Sequence, residues 1–374
     1  LSIEKDLEVH TVLVNTGGFS KEDLDKTEKH AYNLGSASHT NLDCVEEFYN
    51  DAVKYLVFGN ILKNHTYPLS VSAERVFQAM AIAKFAKELG ADFIAHGSTG
   101  AGNDQVRFDF TFSILAAGIE VITPIRDMQL SRQQEIDYLK ANGVEASWEK
   151  SKYSINKGLW GTSVGGQETL TSNQTLPNEA YPSQLEKEES QTLELLFEKG
   201  ELKGIDGEKM KPVDAIVNLQ AIASKFAVGR GMHVGDTIIG IKGRVGFEAA
   251  APMIIIKGHE TLEKHTLTKW QTYWKEQLAN WYGMLLHEGQ YMDPVMRNIE
   301  KFLTDTQEYV TGTVIVKLTP YNFNVVGITS DHDLMNSKFG DYGEMNNAWS
   351  GDDVKGFTKI LANQTKIYHA VNNK

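Results

Sequence analysis

The chain is 374 residues long, 41% hydrophobic and 23% charged, with 37 basic against 49 acidic residues and a net charge of −12. This is ordinary globular composition, long enough for two domains, and the negative balance argues against general binding to nucleic acid or an anionic membrane. A single cysteine, Cys44, excludes an internal disulfide and fits a reducing, cytoplasmic compartment; the sequence has no signal peptide and no apolar run of the roughly eighteen residues a membrane helix needs.

Leu1 to Asp6 reads as the end of a helix and 7–15 (LEVHTVLVN) as a strand. The chain therefore opens inside an element and without methionine, so a preceding segment is expected to be missing. A helix at 22–34, stopped by Gly35, leads to a short strand at 38–42 and a helix at 45–60. Cys44 has no base near it in sequence and reads as a buried structural thiol rather than a nucleophile. Ser72 to Leu89 carries apolar residues at three-to-four spacing and ends at Gly90. Asp92–Ala95 reads as a buried strand, Gln105–Ala117 as a helix capped by Asn103 or Asp104, and Glu120–Thr123 as a second strand before Pro124. This alternation predicts a parallel sheet with crossover helices. An amphipathic helix at 130–142, with Ser131 as its cap and Gly143 as its stop, completes a first α/β domain.

From Ser147 to Pro182 the chain is rich in Ser, Thr, Gly and Asn, with Trp148, Tyr153 and Trp160 interspersed, which favours an ordered, functional loop. Strands are expected at 191–197 and 201–205, a helix at 212–227, and a mixed segment holding Ile238–Val245 and Ile254–Ile256. A helical block covers 260–304, and its aromatic stretch 270–282 reads as core rather than as a stacking platform. Thr313–Thr319 and Asn322–Thr329 read as a hairpin about Pro320. The terminal stretch 353–371 is amphipathic and suits docking on its own domain or on another subunit.

The densest chemistry lies in 96–108, HGSTGAGNDQVRF, between a strand and a helix. Three glycines permit close backbone approach or positive φ, and the helix N-terminus offers unpaired N–H groups to an anion. The bland alternative is a tight turn alone, since neither G-x-G-x-x-G nor a Walker motif is present. Thr99, Asn103, Asp104 and Arg107 together favour binding. Other candidates are weaker. His287-Glu288 lacks the second histidine of a zinc motif, and Asp331-His332-Asp333 lacks the spacing of a calcium loop.

The segment 95–109, AHGSTGAGNDQVRFD, resembles the aspartate- and nucleotide-binding signature of the argininosuccinate synthases. Tyr67-Pro68-Leu69 with Ser72 and Arg75 resembles that family's citrulline-contact segment. Tyr153-Ser154-Ile155 through Leu159-Trp160-Gly161 to Ser163 and Gly165-Gly166 resembles its second substrate segment. Gly240–Arg244 with Glu248, Gly340-Asp341-Tyr342 and Ser350-Gly351-Asp352 also fit, so the likeness spans the chain. It implies a parallel-sheet nucleotide-binding domain of the adenine nucleotide α hydrolase type over 1–146. An α+β synthetase and multimerisation domain would cover 147–352, and a C-terminal oligomerisation helix 353–374. The activity implied joins citrulline to aspartate with ATP and Mg²⁺, through a citrullyl-AMP intermediate, in a homotetramer. Thr99, Asn103 and Asp104 would hold aspartate. Tyr67, Ser72, Asn103, Arg107, Ser154 and Ser163 would hold citrulline. Val14, His96, Gly97 and Thr99 would face ATP.

The chain also departs from the family pattern. The Ser-Gly-Gly-x-Asp-Thr-Ser loop and its strand would lie just upstream of Leu1, and the lysine common in the glycine turn is Ala101. The glutamate that reads the citrulline amine aligns with Gly235, with Asp236 beside it, and a nearby tyrosine aligns with Phe247; Asp236 and Phe247 are the corresponding candidates. Two further readings stand beside this one: another adenylating ligase with a different acceptor, and an inactive amino-acid-binding paralogue.

Overall fold

A computed structural model of the chain describes residues 1–144, 152–336, 342–344 and 348–373. Trp148, the 146/147 domain boundary, Gly340 and Asp341 lie outside the described residues.

The first part alternates as the spacing predicts. Helix α1 (Ser2–Lys5) precedes strand β1 (His10–Asn15), helix α2 (Lys21–Asn33) and strand β2 (Ser38–Asp43). Ser20 closes a capping box with Asp23 at the start of α2, satisfying two otherwise orphaned N–H groups. Helices α3 (Val45–Phe48) and α4 (Lys54–Phe58) are joined by a π-helical turn over Tyr49–Val53. Then come α5 (Glu74–Leu89), β3 (Phe93–Ala95), α6 (Asp104–Leu115), β4 (Glu120–Ile122), α7 (Pro124–Asp127) and α8 (Arg132–Ala141). Gly90 ends α5 in the left-handed region, and Ser131 caps α8 through a box with Gln134.

The parallel sheet is present but split. β1 pairs with β2 from His10↔Ser38 to Asn15↔Asp43, and β3 pairs with β4 from Phe93↔Glu120 to Ala95↔Ile122. Between β1 and β3 runs a cleft of about 620 Å³, lined by 7–12 on one side and 89–95 on the other. Among the described residues no strand fills it.

The second part is built on antiparallel sheets. Strands β5 (Ser154–Gly158), β6 (Gly161–Gly165), β10 (Arg230–Asp236) and β11 (Lys242–Glu248) form a sheet in the order β10-β11-β6-β5. Strands β7 (Gln191–Glu198), β8 (Glu201–Ile205), β9 (Glu208–Lys209), β12 (Gly312–Thr319) and β13 (Asn322–Thr329) form another, ordered β13-β12-β7-β8-β9. Helices α9 (Pro212–Ala223) and α10 (Ala250–Thr266) pack on it, α11 (Lys269–His287) packs on α12 (Pro294–Thr306), which also meets α4, and α13 (Gly351–Leu361) and α14 (Asn363–Asn372) close the chain.

Helix α5 ties the parts together. Its Val76 and Phe77 join the large core, which runs from Phe48 to Leu318. Its Ala79, Ala83 and Ala86 join a smaller core with Ile94 and Phe112. Small side chains on that face let α6 approach closely, while burying Phe77 alone is worth roughly 2–3 kcal/mol. Between the two apolar faces α5 presents Glu74, Arg75 and Gln78 to the cavities described below.

Four expectations need correction. Ile254–Ile256 lies inside α10, where a β-branched run is tolerated because all three side chains are buried on the second sheet. The aromatic stretch of α11 is not core. Trp270, Tyr273, Trp274 and Trp281 are each more than half exposed, and Tyr282 is the member that is buried. The terminal stretch folds as two helices broken at Ala362, with Phe357, Ile360, Leu361 and Ile367 exposed. The glycines of the 96–108 turn do not use positive φ: Gly97, Gly100 and Gly102 are absent from the left-handed region.

Candidate active site

Loop and helix α6 place their polar groups by trading ordinary local bonds for long-range ones. Asn103 occupies the N-cap position without capping. Its carboxamide oxygen instead accepts from the Ile238 N–H at 2.8 Å, binding the first part to the β10–β11 turn. Asp104 receives Arg75 Nε at 3.2 Å and Arg107 at 3.0 Å. Arg107, one turn further on and 3% exposed, donates two bonds to the His287 carbonyl at the end of α11. A guanidinium suits this task, since its fixed fork can serve a carboxylate and a carbonyl together.

These groups surround a cavity of about 270 Å³. Tyr67, Ser72, Arg75, Asn103, Asp104 and Arg107 line it from the first part; Asn156, Ser163, His233, Asp236 and His287 line it from the second. Tyr67 is stacked on His233 with ring centres 5.3 Å apart, and its hydroxyl accepts from Val71 N–H. A second, larger cavity of about 680 Å³ lies over β1, α2 and α5, with Val14, Thr16, Glu74, Gln78 and Lys157 in its wall. Arg75 and Asn156 line both.

Glu74 is 2% exposed, accepts from Thr16 Oγ1 at 2.7 Å and from Arg75 at 2.9 Å. Burial outweighs these partners and pushes its carboxyl up to about 7. His287 moves the other way. Burial, reinforced by Arg107, Lys63 and His233, pushes its imidazole down to about 2, so it is neutral at ordinary pH. His233 is lowered by burial and Lys63.

The structure brings Tyr67, Ser72, Asn103, Asp104, Arg107, Ser163 and Asp236 into the small cavity. Val14 is in the wall of the larger one. Ser154 is exposed and stands two residues before Asn156 on β5, outside the lining of the cavity that Asn156 reaches. Phe247 is buried behind Tyr67 with ring centres 5.6 Å apart and does not line the cavity. His96 bonds Asp109 at 3.0 Å, and Gly97 and Thr99 sit in the exposed turn; none of the three lines either cavity. A Cβ at Gly97, Gly100 or Gly102 would meet nothing closer than 3.6 Å, so packing within the chain does not require glycine there. Sequence reasoning missed His233, His287, Asn156 and Glu74. For His287 the only local signal was a fragment of a zinc motif, and its true role depends on Arg107, 180 residues away.

A parallel α/β domain joined to an antiparallel synthetase-like part, with a polar cleft at the junction, defines a nucleotide-dependent ligase architecture. Two family models match: the Arginosuccinate synthase N-terminal HUP domain over residues 1–145 and the Arginosuccinate synthase C-terminal domain over 153–368. The chain is 36% identical to argininosuccinate synthase of Methanocaldococcus jannaschii, over 94% of this chain and 89% of that protein. It is 35% identical to the Dictyoglomus turgidum enzyme, over 97% and 91%, and 34% identical to the Xanthomonas campestris enzyme, over 99% and 94%. The chain belongs to the argininosuccinate synthase family, ligases of arginine biosynthesis that use ATP to join citrulline to aspartate.

Proposed function

We propose that the two cavities divide the family's reaction, ATP occupying the larger and the two amino acids the smaller. The observation that carries this is their shared wall. Arg75 and Asn156 line both, so a ureido oxygen in one room would meet the α-phosphorus of a nucleotide in the other. The oxygen attacks phosphorus and pyrophosphate leaves; the aspartate amine then attacks the activated carbon and AMP leaves. Positioning and charge neutralisation supply most of the rate in such transfers.

In this reading Asp104 receives the aspartate amine, while the Asn103 NH₂ group donates to its carboxylate. The Asn103 oxygen is committed to Ile238, which orients the amide for that task. Tyr67, Ser72, Arg107 and Ser163 hold the citrulline, with Asn103 between the two substrates. Val14, in the wall of the larger cavity, would face adenine. Mg²⁺ would be carried by the triphosphate.

Division at 146/147 and 352/353, a cytoplasmic location and a homotetramer complete the proposal. No described helix is long and apolar enough to cross a membrane. The exposed apolar residues of α13 and α14 support assembly through this tail. Light scattering of a chain ending before Asp353 tests it: loss of the tetramer is expected, and an unchanged mass refutes it. For the reaction, full-length protein should release pyrophosphate over many turnovers only when ATP, citrulline and aspartate are all present, and at most one equivalent per site from ATP and citrulline alone. Citrulline binding without release would favour the inactive paralogue.

A further inference from the structure

Two imidazoles in the small cavity have ring nitrogens that no protein group satisfies. His287 Nε2 and His233 Nδ1 are both buried without a hydrogen-bond partner, in side chains that are 7% and 6% exposed. Both line the cavity. Leaving such an atom dry costs on the order of 1–3 kcal/mol, so a ligand atom is the natural partner.

The tautomer of His287 is fixed by its neighbour. Its Nδ1 lies 3.4 Å from an Arg107 nitrogen, and a guanidinium can only donate. Nδ1 therefore accepts, and the proton sits on Nε2. His287, a residue of the cavity lining, thus carries an N–H donor that no protein group accepts. A cationic amine cannot accept from this donor, whereas a carbonyl or carboxylate oxygen can.

The charges around this end tell against an ammonium as well. Two carboxylates line the cavity: Asp104, paired with Arg75 and Arg107 and assigned above to the aspartate amine, and Asp236, paired with Lys242 at 2.7 Å, so neither is left for a second ammonium at the His233–His287 end. Lys63 is near enough to perturb both imidazoles, and Glu288 and Asp236 act on Lys63 in turn. An ammonium here would be desolvated among cations and neutral rings. Gly235 adds a steric argument. A Cβ at that position would lie 2.5 Å from His233 Nε2, so the imidazole occupies the space that a carboxylate side chain at 235 would need.

On the reading that this cavity holds the ureido acceptor, we propose that it selects a citrulline whose α-nitrogen is uncharged, an Nα-acylated form, with His287 Nε2–H donating to the acyl or carboxylate oxygen. His233 and Gly235 are the paired specificity determinants: the ring replaces a side chain that would have read the amine.

Calorimetric titration of the full-length protein with citrulline and with Nα-acetylcitrulline tests this. The acetylated compound is expected to bind at least about tenfold more tightly, a difference of roughly 1.4 kcal/mol. Citrulline bound as tightly as its acetyl form, or more tightly, overturns the proposal. His287→Phe should abolish the preference, and His287→Gln, which keeps an N–H donor, should restore part of it; a preference unmoved by His287→Phe removes that residue's role. The paired change His233→Ala with Gly235→Glu should reverse the preference toward citrulline, and failure to do so in a folded variant counts against the steric argument. Pyrophosphate release, measured alongside with ATP and aspartate, reads the ligase assignment separately. Preferential binding without release would sink the ligation reading and leave the specificity intact.

Discussion

The two cavities that meet at Arg75 are built on opposite plans. The smaller is assembled from both parts of the chain, and the charged groups of its Arg75–Asp104–Arg107 array are paired across it. The larger draws mainly on β1, α2 and α5, and holds a carboxyl, Glu74, that burial has driven toward neutrality. The contrast teaches that rigidity and tunability are separated by one residue. The smaller room is held by long-range bonds and keeps the His287 imidazole neutral, whereas the larger holds a carboxyl that titrates near neutrality.

Breaking the smaller room should have the largest effect. Arg107→Ala removes two bonds to the His287 carbonyl and one to Asp104, joining α6 to α11. The turnover measured by pyrophosphate release should fall at least about a thousandfold, as for loss of a positioned cation in other transfer enzymes. Stability should fall by roughly 3 kcal/mol, since Asp104 and a buried carbonyl lose a partner. Arg107→Lys should recover stability better than activity, because an ammonium cannot reproduce the fork. An Arg107→Ala enzyme within tenfold of the parent would show that the array is structural only.

The larger room is tested by pH. The folded pKa of Glu74 is raised to about 7 from an ordinary value near 4.5. The folded protein therefore binds the proton more tightly than the unfolded chain between these values. The stability this contributes is complete below pH 4.5 and is lost as pH rises through 7, by about 3 kcal/mol. His287, lowered to about 2, has the opposite sense: its stability is present above pH 6.5 and is lost as pH falls. Glu74→Gln should match the parent near pH 4 and exceed it in denaturant unfolding at pH 8. Equal stability at both pH values would show that Glu74 is not buried as a neutral acid.

How far the sequence revealed this division depends on how local each signal is. The cap at Ser131, the stop at Gly90 and the hairpin at Pro320 are short-range chemistry, and all appear where the spacing places them. The helical aromatic stretch misled because periodicity fixes a face but not whether that face is covered; Trp270, Trp274 and Trp281 fall on the uncovered side. In the site, Asn103, Asp104 and Arg107 were legible because one turn of helix brings them together. Asn103 looked like a cap because nothing local discloses that Ile238 claims its oxygen. Ser154 lies outside both linings, since a segment likeness does not say which residues of a strand reach a cavity. Glu74, His233 and His287 acquire meaning only through burial and through partners in distant elements.

The smallest expected effects sharpen the boundary between the rooms. Asn156 lines both cavities, while Ser154, two residues earlier on the same strand, lines neither. Because alternate residues share a face, the two differ in position along β5 rather than in direction. Asn156→Ala should raise the KM for both ATP and the ureido acceptor, on the order of tenfold, the value of about one hydrogen bond to a charged or polar ligand. Ser154→Ala should move either constant by less than about twofold. The pairing Asn156↔Ser163 and Ser154↔Gly165 leaves the sheet intact in both variants, so neither change should alter the unfolding midpoint appreciably. If Ser154→Ala proves the more damaging, the acceptor lies further along β5 than the cavity between Tyr67 and His233, and the shared wall at Arg75 would no longer mark where the ureido oxygen meets phosphorus.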